Sequence, residues 1–148
     1  GGREMIQRAL KEAKLNLPHT KVLGVSLLTS LDKHDFKELW DFSGNQVENT
    51  FKNLFTLALE LEVHGVVCSP VELNLITSLE KKHQRSLLKV TPGIRFEDEI
   101  LIGSIGDQKR VLSPEVAISS GANYLVIGRS LTESAQLDKR IEHLANLD

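Results

Sequence analysis

The 148-residue chain has a single cysteine, Cys68, which excludes an internal disulfide and fits a reducing, cytoplasmic setting. Its surroundings, V-V-C-S, mark it as a small buried hydrophobe rather than a reactive thiol. No apolar run approaches the roughly 18 residues of a membrane span. The opening stretch GGREMIQRALKEAK is charged and amphipathic, unlike a signal peptide. Neither sign of charge prevails: 18 Lys and Arg stand against 20 Asp and Glu, a formal net charge of −2. That argues against a dedicated nucleic-acid binder, although a local basic patch remains compatible with it. There is no Walker loop and no G-x-G-x-x-G. The five histidines, His19, His34, His64, His83 and His143, are dispersed and none neighbours a nucleophile. No cysteine–histidine cluster has metal-ligand spacing.

What is present is a globular composition, 41% hydrophobic and 26% charged, with length for one domain over residues 1–148. Met5, Ile6, Ala9, Leu10 and Ala13 recur at helical spacing over residues 3–15. Val47, Phe51, Leu54, Ala58 and Leu61 predict a second strong helix. Ser69-Pro70-Val71-Glu72 is a helix start, with Ser at N-cap, Pro at N1 and Glu at N3, running to about His83. Ser113-Pro114-Glu115 opens another helix, closed near Gly121. Leu137, Ile141 and Leu144 mark the last. Between them lie continuous apolar runs at residues 21–28, 65–69, 86–91 and 123–128. Four strands alternating with helices, apolar throughout, predict a parallel α/β sheet covered by helices. Either an open doubly wound sheet or about half of a (β/α)8 barrel fits; in the second case both outer strands have open edges. Residues 94–110, IRFEDEILIGSIGDQKR, read as one extended loop.

The last two strands end alike, in Thr91-Pro92-Gly93-Ile94-Arg95 and in Ile127-Gly128-Arg129-Ser130. Glycine lets backbone N–H groups approach an anion, and arginine offers a planar fork for two phosphate oxygens. The repetition on adjacent strand ends favours an anion site over a pair of solvated turns. Gln108, in the loop between them, offers a further amide donor, while Lys109 and Arg110 read as solvated surface charge. Thr29-Ser30 ends the first strand, where a hydroxyl either meets a ligand or, at Ser30, caps the next helix. Trp40 and Phe42 read as packing residues.

Together, TPGIR, GDQKRVLSPEVAISSGA, NYLVIGRSLT, LEVHGVVCS and VSLLTS resemble orotidine 5′-phosphate decarboxylase over essentially the whole chain. The resemblance implies a (β/α)8 barrel of which these are strands five to eight, roughly the C-terminal three-fifths. The initial Gly-Gly matches a Gly-Gly that members carry after their fourth strand. It implies conversion of orotidine 5′-monophosphate to UMP and CO2 without a cofactor, by a homodimer. Thr29 would lie at the pyrimidine and ribose side of the substrate, and Arg95, Gln108, Gly128 and Arg129 at its phosphate. The family's Asp-x-Lys-x-x-Asp motif is absent. The nearest string, Asp35 to Asp41, has its second acid one residue late and lies beyond the wrong strand. No catalytic residue is therefore assigned, and these residues alone are expected to bind phosphate without decarboxylating. Another sugar-phosphate barrel enzyme, such as a keto-gulonate or hexulose phosphate relative, and a non-catalytic half-barrel module are the alternatives.

Overall fold

The computed structural model describes residues 2–28, 30–42, 44–103 and 110–147, with the backbone alone at position 33. Thr29 and Gln108, two of the five expected site residues, lie outside the described residues, as does Lys109.

Helix α1 (Arg3–Asn16) precedes β1 (Leu23–Val25), α2 (Lys33–Trp40) and α3 (Asn45–Glu60). Strand β2 (Gly65–Val67) leads through a 3-10 turn (Pro70–Glu72) into α4 (Leu73–His83) and β3 (Leu88–Pro92). Then come α5 (Glu97–Leu101), α6 (Pro114–Ser119), β4 (Tyr124–Val126), α7 (Arg129–Thr132) and α8 (Leu137–Ala145). The sheet is parallel and its strands lie side by side in chain order, β1-β2-β3-β4. A doubly wound sheet reverses its strand order at a switch point. The unbroken sequential order is that of a barrel segment, and four βα units make half of one.

The pairing register sorts the strand residues between two faces. Val66, Cys68 and Thr91 point towards the helices and are buried. They meet a core built around Phe55, Ala58, Leu73, Ile76 and Ile94. Each large apolar side chain buried there contributes about 1.5–3 kcal/mol. On the opposite face Val25, Val67, Val90 and Tyr124 align across all four strands. No helix covers that face at its outer strands, where Val25 is 65% and Tyr124 57% exposed. This is the inner, barrel-lining side of the sheet.

The strands are shorter than their apolar runs because side chains take over the flanking backbone groups. The Val22 N–H donates to His64 Nδ1 at 2.9 Å, and the Leu27 and Leu28 carbonyls accept from Arg110 at 3.2 and 2.7 Å. The expected extended loop after β3 is interrupted by α5. Glu97, Asp98 and Glu99 fill its first turn, where acids suit the positive end of a helix, and Glu99 Oε2 accepts the Phe96 N–H at 3.1 Å. Ser30 is not a cap. Asp32 caps α2, accepting from the His34 and Asp35 N–H groups at 2.8 and 3.0 Å, while Asp35 Oδ2 accepts the Asp32 N–H at 2.8 Å. Among the described residues no helix is long and apolar enough to cross a membrane.

Candidate anion site at the ends of strands β3 and β4

Two expected site residues converge. Beyond β3, Gly93 takes φ +84, a left-handed turn that an L side chain rarely adopts. The turn carries Ile94 into a one-pair parallel bridge with Leu112, and Arg95 N–H donates to the Leu112 carbonyl at 3.1 Å. Beyond β4 the chain passes through Gly128 directly into α7, so Arg129 is the first helical residue. The Gly128 carbonyl accepts from the Leu131 and Thr132 N–H groups at 2.8 and 3.0 Å, and among the described residues none beyond its own chain neighbours and helix backbone comes within 4 Å of where a Cβ would stand. Its backbone is thus open to an approaching group.

Arg95 and Arg129 line one cleft of about 250 Å3, together with Glu99, Ser130, Glu133, Ser134 and Arg140. Arg129 stands at the rim, exposed. Arg95 is different: the residue is only 7% exposed, and among the described residues its guanidinium makes one hydrogen bond, from Nη1 to the Ile94 carbonyl at 2.9 Å. Among the described residues no carboxylate pairs with it. A buried cation costs several kcal/mol unless a counter-charge is supplied. A guanidinium held this way has the geometry to take two oxygens of an anion.

Arg110 departs from the expectation of a solvated charge. Its side chain is 12% exposed and pairs with Glu72, while its Nη2 reaches the Leu27 and Leu28 carbonyls. Its guanidinium carbon lies 5.1 Å from the Phe51 ring centroid and 5.7 Å from that of Phe36. Glu72 Oε2 accepts from Ser26 Oγ at 3.2 Å and from the Ser69 N–H at 3.1 Å. Burial pushes the Glu72 carboxyl up to about 7, against the lowering pull of Arg110. The helix start read from Ser69-Pro70-Val71-Glu72 is there, and its glutamate doubles as the anchor for an arginine 38 residues later.

The remaining polar clusters have structural explanations. Asp32, His34 and Asp35 bring ligand-type atoms within 4.8 Å of one another as the cap of α2. Lys37 and Asp41, from the string that loosely resembles a catalytic motif, form an exposed i,i+4 ion pair. Cys68 is 1% exposed, and burial pushes its thiol up to about 12, which removes it as a nucleophile at neutral pH. Trp40 stacks on Phe42 at 6.0 Å but remains half-exposed.

Spacing did not identify Glu99, Ser130 and Arg140 as parts of the cleft. Glu99 carried a signal, as the third residue of an acidic helix start. Arg140 carried none, because it sits on the polar side of a helix read only through its apolar positions.

The model of the orotidine 5′-phosphate decarboxylase / HUMPS family matches residues 1–144. Curated relatives named orotidine 5′-phosphate decarboxylase include those of Ehrlichia chaffeensis and Coxiella burnetii. The first is 38% identical over 144 residues, covering 97% of this chain and 58% of the relative. The second is 40% identical, covering 96% and 57%. The chain therefore spans about three-fifths of the length of the curated relatives it matches. Among solved structures, an uncharacterized conserved protein from Geobacillus kaustophilus is similar at TM-score 0.66 and 29% identity, over 98% of this chain and 58% of that one. The fold also matches orotidine 5′-phosphate decarboxylase from Lactobacillus acidophilus at TM-score 0.68 and 24% identity, over 97% and 58%. The chain belongs to the orotidine 5′-phosphate decarboxylase / HUMPS family.

Proposed function

We propose that this chain is the phosphate-gripping part of an orotidine 5′-phosphate decarboxylase acting in pyrimidine biosynthesis, corresponding to strands five to eight of the barrel. The observation that carries the reading is Arg95, a buried guanidinium without a carboxylate partner among the described residues, in a cleft shared with Arg129. A nucleoside 5′-monophosphate supplies the missing dianion. Arg95 and Arg129 take its phosphate oxygens in charge-assisted bonds, and the bare Gly128 backbone lets the phosphate come close. Gln108 adds an amide donor and Thr29 a contact towards the ribose and base. Binding energy gathered at the phosphate lowers the barrier at the distant ring only if it is expressed in the transition state. The groups that act on the ring are assigned to strands other than these four, and the exposed inner sheet face is the side those strands would cover. The complete enzyme is a cytoplasmic homodimer in this reading.

The test is a titration of the purified chain with UMP, ribose 5-phosphate and uridine, followed by calorimetry, alongside a decarboxylation assay. The expected outcome is binding of UMP, none of uridine, and no release of CO2. Binding of ribose 5-phosphate more tightly than UMP would favour a sugar-phosphate enzyme of the same family. Turnover of orotidine 5′-monophosphate would overturn the division of labour between strands.

A further inference from the structure

Arg140 is the third arginine of the cleft, and it reaches there from α8, an element without any other part in the site. Its side chain is 12% exposed, and both terminal nitrogens have protein partners. Nη1 donates to the Ser130 carbonyl and lies 3.4 Å from Glu99 Oε2, and Nη2 donates to Asp98 Oδ2 at 2.7 Å. The guanidinium also lies over the Phe96 ring, 4.4 Å from its centroid. Phe96 immediately follows Arg95, and Ser130 immediately follows Arg129. One side chain thus holds the neighbours of both anion-binding arginines, one through its flat face and the other through its edge.

Glu99 makes the same span with the opposite charge. Its Oε2 accepts from the Phe96 N–H at 3.1 Å and from the Ser130 hydroxyl. The two side chains compensate each other's charge, and among the described residues no carboxylate pairs with Arg95. Both terminal nitrogens of Arg140 already donate to protein acceptors, so turning them towards an anion would break those bonds.

We propose that Arg140, braced by Glu99, is a positioning residue that fixes the distance between Arg95 and Arg129 and so sets the affinity of the cleft for a phosphate dianion. This rests on the anion-site reading above. The guanidinium plane is essential to the role: lysine keeps the charge but cannot stack on Phe96 while bonding two acceptors in one plane.

The experiment compares wild type, Arg140→Met and Arg140→Lys by titration with inorganic phosphate and with UMP, and by amide hydrogen exchange. The Leu131 and Thr132 amides, bonded to the Gly128 carbonyl, report on the bracketed turn; amides of α3 report on the rest of the fold. Both variants should weaken binding by roughly tenfold, as a site held more loosely does. Exchange should quicken at Leu131 and Thr132 while α3 is unchanged. Full binding by Arg140→Lys would overturn positioning and make Arg140 a direct point-charge ligand. Wild-type affinity in Arg140→Met would overturn it while leaving the anion site standing. Absence of phosphate and UMP binding in the wild type itself would remove the anion-site reading and reduce Arg140 to a structural tie.

Discussion

Arg95 and Arg110 flank the same segment, both are largely buried, and they ended in opposite electrostatic situations. Arg110 meets the Glu72 carboxylate, two carbonyls and two aromatic rings. Among the described residues the Arg95 guanidinium meets one carbonyl, from its own neighbour. Only the arginine without a carboxylate has charge left over for a ligand. Burial of an arginine is therefore uninformative until its counter-charge is found: Arg110 ties the ends of β1 and β2 together, whereas Arg95, without a carboxylate partner among the described residues, is the one proposed above to hold an anion.

The comparison is broken most severely at Arg110. Arg110→Met should destabilise the chain by about 3–5 kcal/mol at pH 8, because it strands a buried carboxylate. Urea midpoints measure this. The double variant Arg110→Met/Glu72→Gln should recover a large part of the loss, since the glutamine carries no charge to strand. If the double variant were as unstable as the single one, the packing of Arg110 on Phe36 and Phe51 would be what counts.

Arg95 should respond in the opposite way. Arg95→Met should reduce affinity for UMP by about a hundredfold, in line with loss of a buried charge-assisted contact. Yet it should leave the melting temperature unchanged or raised, since it removes a buried cation without a partner. A fall in stability comparable to that of Arg110→Met would mean that Arg95 is a structural arginine too.

The sequence made the fold legible where the signal was local. The helix start at Ser69 to Glu72 rests on capping chemistry confined to four residues, and α3 on an apolar period of three and four. Strand lengths were less legible, because what shortens the run at residues 21–28 is His64 and Arg110, residues 42 and 82 or more positions away. For the site, the two similar strand ends named Arg95 and Arg129, which line one cleft. The same reasoning gave Arg110 to solvent, since no local pattern announces a partner 38 residues upstream. Arg140 was missed for the same reason: its partners Asp98 and Ser130 are brought to it only by the stacking of βα units.

The paired arginine should also be pH-sensitive. The Glu72 carboxyl is held at about 7 in the fold and returns to its ordinary 4.5 in the unfolded chain. Between those values the folded chain keeps a proton that the unfolded chain releases. The stability contributed by this group is therefore fully present below about 4.5 and is lost as pH rises through 7. Its size is on the order of 3 kcal/mol. Glu72→Gln removes the titration, so the wild type should gain relative to the variant when urea midpoints are compared at pH 5 and pH 8. No such shift would mean that Arg110 outweighs burial and keeps Glu72 ionised throughout.

The smallest effect belongs to Ser26, whose hydroxyl donates to Glu72 Oε2 at 3.2 Å. Ser26→Ala removes one donor from a carboxylate that still has Arg110 and the Ser69 N–H. It should cost about 1 kcal/mol at pH 8, where the acceptor is charged, and less at pH 5, where it is neutral. The same substitution should leave UMP affinity untouched, because Ser26 serves the closed pair and has no contact with the cleft at Arg95. A loss of UMP binding in Ser26→Ala would show that the two strand-end regions are coupled, and the contrast between the two arginines would then be one of degree.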